Sequence, residues 1–118
     1  MEEYKFQKLV VYQLALKYAD AVYELSEKLP LRERFNLTSQ IERAATSIVL
    51  NIAEGSTGQS NPEQRRFLGL AVRSYLETIA YLDLIENHGY LPAGDLSSLR
   101  EQGHQLFIKL AAFRNSLG

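Results

Sequence analysis

Residues 37–55 read LTSQIERAATSIVLNIAEG. Leu37, Ile41, Ala44, Ala45, Ile48 and Ile52 recur at three- and four-residue intervals, the spacing that gathers side chains on one face of an α-helix. At about 100° per residue, Gln40, Arg43, Ser47, Asn51 and Glu54 fall within roughly 80° of one another, beside that apolar face. The stretch therefore predicts a helix that begins near residues 32–37 and ends at Glu54. It carries a polar stripe along the edge of its buried side. Gly55 follows, and is expected to end the helix by turning left-handed at no steric cost.

The rest of the chain repeats this periodicity and shows no sustained alternation and no hairpin signal. A first helix is expected from about Lys8 to Leu29, with Val10, Val11, Leu14, Tyr18, Val22, Leu25 and Leu29 inward and Pro30 ending it. A third starts at Ser60 or Asn61 and runs to about His88. Ser60 and Glu63 have the spacing of a capping box, and Pro62 suits a first turn because its missing N–H is harmless there. Phe67, Ala71, Tyr75, Leu82 and Ile85 form its core face. A fourth runs from Pro92 or Ala93 to Leu117, with Leu96, Leu99, Leu106, Phe107, Leu110 and Phe113 inward. Short connections make neighbours antiparallel. The expected fold is all-α, an up-down-up-down four-helix bundle in one domain spanning residues 1–118.

Composition excludes several function classes. The chain has no cysteine, hence no thiolate nucleophile and no cysteine-based metal site. His88 and His104 lack partners at metal-ligand spacing, so no metal or cofactor is expected. GSTGQS, residues 55–60, lacks the lysine of a phosphate-binding loop and has no strand before it. No apolar run approaches a membrane span and the N-terminus lacks the apolar core of a secretory signal, so a cytoplasmic protein is expected. Thirteen Lys and Arg against fourteen Asp and Glu leave a net charge of −1, with no global pull toward nucleic acid.

The polar stripe has a partner on the third helix, where Ser74, Glu77 and Tyr81 share a face flanked by Arg66 and Arg73. An antiparallel neighbour can offer Glu77 to Arg43 and Ser74 to Asn51. The favoured reading is a polar network between helices or between subunits, comprising Gln40, Arg43, Ser47, Asn51, Glu54, Ser74 and Glu77, because polar groups kept inside must be paired. The alternative is a set of solvated faces. A catalytic site has no nucleophile–base–orienter grouping to support it, so no enzyme is expected.

Apolar residues also lie outside the core faces: Tyr12, Leu16, Ala19 and Tyr23 on the first helix, Leu50 on the second, and Leu70, Tyr81 and Leu84 on the third. Helices apolar on more than one side are buried on more than one side. These residues are the interface candidates of a homo-oligomer.

The segments LVVYQLALKYADAVYELSEKLP (9–30), ERFNLTSQIERAATSIVLNIAEG (33–55) and RRFLGLAVRSYLETIAYLDLIENHGYL (65–91) resemble the four-helix-bundle family of 23S rRNA intervening-sequence proteins. The most specific parts are Gln40–Ile41–x–Arg43–Ala44, the run Ser47–Ile48–x–x–Asn51–Ile52–Ala53–Glu54–Gly55, and Arg66–Phe67 with Ala71, Ser74 and Glu77. The resemblance implies a cytosolic bundle that assembles into a ring, a pentamer. A related branch, the accessory variability protein of diversity-generating retroelements, forms a basic ring that binds a reverse transcriptase and nucleic acid. This chain departs from that branch in being slightly acidic. The expected function is a non-enzymatic, ring-forming scaffold that binds a protein partner. The alternative is weak RNA or DNA binding through local basic patches, with Lys5, Lys8, Arg65, Arg66 and Arg73 as candidates.

Overall fold

The computed structural model of the chain describes residues 3–58 and 60–118. Four α-helices make up the fold: α1 (Val10–Ser26), α2 (Ser39–Gly55), α3 (Asn61–Asn87) and α4 (Ala93–Ser116). They run up-down-up-down, each packing on its sequence neighbour, with α4 closing back on α1. The α2–α3 contact is the most extensive. No strand occurs among the described residues.

The core follows the predicted apolar periodicity closely. Ile41, Ala44, Ala45, Ile48 and Ile52 of α2 are wholly buried, and Tyr18, Val22, Leu68, Ala71, Leu82, Ile85, Leu96 and Leu110 meet them from the other helices. Val10 departs from expectation and is 63% exposed. α1 begins at Val10, after a 3₁₀ turn over Lys5–Lys8 rather than as a helix from Lys8, and Ala15 takes the inward place. Phe67, Phe107 and Phe113 are only half-buried, lying at the edge of their core faces.

The entrance to α2 also differs from a simple helix start. A 3₁₀ turn (Leu31–Glu33) leads into a π turn (Arg34–Thr38), and regular α-helix begins at Ser39. Glu33 serves as the cap, its carboxylate accepting from the backbone N–H of Leu37 at 3.5 Å. At the start of α3, Ser60 Oγ accepts from the Glu63 N–H at 3.4 Å. The Glu63 carboxylate meanwhile holds Arg66 one turn along.

Gly55 does not turn left-handed. It is the last residue of α2, is buried, and has ordinary helical geometry. Its role is proximity: a Cβ at this position would stand 2.6 Å from Cβ of Phe67. The positive φ after α2 belongs to Gly58, at 102°. Gly103 likewise lets α4 approach the rings of Tyr18 and Tyr75, which would meet an added Cβ at 2.7 and 2.9 Å.

Candidate functional site

The seam between α2 and α3 carries the polar stripe. Arg43 donates from Nε to Gln40 Oε1 at 2.9 Å, and its guanidinium pairs with the Glu77 carboxylate across the seam. One turn further, Ser47 Oγ and Ser74 Oγ lie 2.9 Å apart. Asn51 Nδ2 donates back to the Ser47 carbonyl at 2.9 Å and to Ser47 Oγ at 3.1 Å. Ser74 therefore meets Ser47, and Asn51 joins the pair through Ser47. The helical period explains this line, since Arg43, Ser47 and Asn51 are four residues apart along one edge of α2 and rise together.

The stripe is not deeply buried in the single chain. The side chains of Arg43 and Glu77 are 51% and 36% exposed, whereas Ser74 is buried. Two shallow grooves flank the line. One is lined by Leu70, Arg73, Leu76 and Glu77, the other by Thr46, Leu50 and Glu54, and both share Ser47 and Asn51 as a wall. Leu50 and Leu76 stand more than half clear of the protein surface or close to it, at 56% and 50% exposure. The face thus combines self-satisfied polar groups with unpartnered leucines. The serines have no histidine or carboxylate positioned as a base in these contacts. Among the described residues no group of three His, Asp or Glu side chains could hold a metal ion.

The other apolar interface candidates divide into two sets. Leu16, Tyr23 and Leu84 are exposed, like Leu50. Tyr12, Ala19 and Tyr81 are half-buried and pack against the core of their own chain, with Tyr12 also edge-on to Phe6 at 5.1 Å; Leu70 is half-buried as well. Tyr23 reaches α2, its hydroxyl 3.1 Å from that of Thr46.

Among the basic candidates, Lys5, Lys8, Arg65 and Arg66 share one end of the bundle, because α1 and α3 both start there. α4 finishes at the same end and adds two cations. Lys109 lies in a groove with Leu9 and Val10, and the Arg114 guanidinium lies against Gly69. Among the described residues, Glu3, Glu54 and Glu63 are the acidic residues at this end, and Glu63 is already engaged with Arg66. Arg66 also lies over the Phe67 ring at 4.5 Å. Arg73 belongs elsewhere, in the α3 groove of the polar seam. Gln59, in the loop before α3, lies outside the described residues.

Sequence reading missed Leu31 and Phe35, which are 81% and 87% exposed. The available signal was phase. Phe35 lies off the register of Leu37, Ile41, Ala44 and Ile48, between Arg34 and Asn36.

A four-helix bundle whose conspicuous surface is a polar seam flanked by exposed leucines is defined by its shape and contacts, and the comparisons agree with that class. Residues 7–112 match the 23S rRNA-intervening sequence protein family, and the chain belongs to it. A crystal structure of a protein of unknown function from the S23 ribosomal protein family of Bacteroides thetaiotaomicron is similar, with a TM-score of 0.82 and 25% identity. That match covers 90% of this chain and 96% of the other. Among curated proteins no sequence matches the chain.

Proposed function

We propose that the protein is a cytoplasmic scaffold without chemistry of its own, assembling as a pentameric ring and presenting its surface to a protein partner. The observation that carries this reading is the unpartnered apolar surface. Leu16, Tyr23, Leu50, Leu76 and Leu84 all stand at 36% exposure or more on the outer faces of α1, α2 and α3. Covering apolar area contributes about 25 cal/mol per Å², and in the seam between these side chains Ser47, Ser74, Asn51, Arg43 and Glu77 are already bonded within the chain, which lowers the cost of covering them. Light scattering at micromolar concentration tests the reading. A multimer is expected, with smaller species from Leu16→Glu, and a wild-type monomer would refute it.

A second reading has its own support in the basic end formed by Lys5, Lys8, Arg65, Arg66, Lys109 and Arg114. In a ring each such end would be repeated around the axis, so weak phosphate contacts would add by avidity. Binding to single-stranded RNA or duplex DNA should then be non-specific and lost at moderate salt. Anisotropy titrations across a salt series, with Arg65→Ala/Arg66→Ala beside wild type, test it; no binding at low salt would remove it.

A further inference from the structure

We propose that Leu31 and Phe35 form a knob that docks into the Ala80–Leu84 groove of a second copy of this chain, joining copies head to tail. The proposal rests on the oligomeric reading above and names the two surfaces that would meet.

The knob is held in place before it meets anything. The Glu33 carboxylate accepts from the Tyr90 hydroxyl at 2.7 Å and from Asn36 Nδ2 at 3.1 Å. Arg32 donates to the same Tyr90 hydroxyl at 3.0 Å, and Leu37 is buried just beyond. These contacts tie the α1–α2 connection to the α3–α4 connection. Between them Leu31 and Phe35, four residues apart, project into solvent at 81% and 87% exposure. Two large apolar side chains displayed on an ordered backbone are anchors whose ordering cost is already met, the property that makes a few interface residues dominate binding. The Arg34 guanidinium lies 5.5 Å from the Phe35 ring centroid, so the knob is cationic as well as apolar.

The groove has the matching chemistry. It is an open concavity beside α3, lined by Ala80, Asp83, Leu84, Glu86, Asn87 and Arg100. Leu84 is 41% exposed and unpartnered. Arg100 bonds both Asp83 at 2.9 Å and Glu86 at 3.3 Å, so two carboxylates share one guanidinium and the rim keeps an excess negative charge. Arg34 supplies the opposite sign. The exposure of Phe35 shows that it does not enter the groove of its own chain. Knob and groove are therefore different patches. When the same two copies do not reciprocate it, a contact between different patches repeats from copy to copy, closing into a ring when the rotation permits.

That geometry gives a test which a partner of another kind would not pass, and a wild-type assembly larger than a dimer separates it from a reciprocal two-fold pair. Phe35→Glu removes the knob and keeps the groove; Leu84→Glu removes the groove and keeps the knob. Each variant alone should run as a monomer by light scattering where wild type is a multimer. An equimolar mixture should give a one-to-one dimer and nothing larger, because the single intact knob and groove pair cannot propagate. Both side chains are exposed, so circular dichroism should match wild type; Ala80→Glu replaces Leu84→Glu if the latter does not fold. A mixture that stays monomeric would overturn the pairing. Variants that keep the wild-type assembly would overturn it too, and would leave the knob to a different protein. Wild type that is itself monomeric would overturn the scaffold reading along with it, so the two failures are told apart by the first sample.

Discussion

Replacing Thr78 by valine should cost more than replacing its partner Tyr18 by phenylalanine, although each change breaks the same hydrogen bond. Both residues are wholly buried, and their oxygens lie 2.7 Å apart. Thr78 Oγ1 donates its only proton to the Tyr75 carbonyl at 2.5 Å, so the bond between the two hydroxyls must be donated by Tyr18. Burial pushes the Tyr18 phenol up to about 12, which keeps that proton in place throughout the neutral range. Tyr18→Phe removes the donor and leaves Thr78 bonded to Tyr75, a loss of about 0.5–1.5 kcal/mol. Thr78→Val preserves shape but leaves the Tyr18 hydroxyl with no acceptor where water does not reach, a loss of about 1–3 kcal/mol. In the double variant no orphan remains, so its cost should fall below the sum of the singles by about 1 kcal/mol. At about 4 °C per kcal/mol for a domain of this size, Thr78→Val should lower Tm by about 4–12 °C. Thermal and urea denaturation at one fixed chain concentration measure all four proteins, since assembly makes stability concentration-dependent. Strict additivity, or a Thr78→Val variant no less stable than Tyr18→Phe, would refute the assignment of donor and acceptor.

Gly55→Ala should destabilise despite the better helix propensity of alanine. About 1 kcal/mol of propensity opposes about 1–3 kcal/mol of overpacking against Phe67; a more stable variant in urea melts would show that α2 and α3 can separate freely. The Arg43–Glu77 coupling, by a double-mutant cycle on dilute, dissociated chain, should be about 0–1 kcal/mol because both groups are partly exposed. If assembly covers the seam, removing either charge should cost ~3–5 kcal/mol in the multimer, and an equally small cost in both states would place the seam outside the interface. Glu33 is held below its ordinary carboxyl value of 4.5, chiefly by the Tyr90 hydroxyl. Its contribution to stability is therefore present above that value and is lost as pH falls through the lowered one; Glu33→Gln should flatten the stability profile below about pH 4.5, and an unchanged acid limb would contradict the linkage.

The bundle was legible because burial and helical period write the same pattern into the chain. Ile41, Ile48, Ile52, Leu82 and Leu110 are where a 3.6-residue period puts them, and Ser60–Pro62 marks the start of α3 by local chemistry alone. Gly55 was misread because a glycine after a helix permits two explanations, free φ or close approach, and only the position of Phe67 distinguishes them. Val10 was misread at an end, where the 3₁₀ turn over residues 5–8 breaks the period. The seam was legible as a stripe, since one helix determines it. Which serine faces which residue depends on the sliding of α3 against α2, and that is set by packing at Gly55 and Phe67 rather than by any local signal. The grouping of Lys109 and Arg114 with Arg65 depends on how α4 returns, a property of the whole topology.

The π turn at residues 34–38 carries one more consequence. It holds one residue more than an α-helical turn would over the same rise, and so offsets the phase of everything before it from the phase of α2. Deleting a single residue there would let regular helix extend upstream and rotate Leu31 by about 100° around the axis. Its chemistry would be untouched, yet its direction would change. The surface this protein displays at that corner is thus encoded by a count of residues as well as by their identity. A relative one residue shorter in this turn would present a different corner from an almost unchanged core.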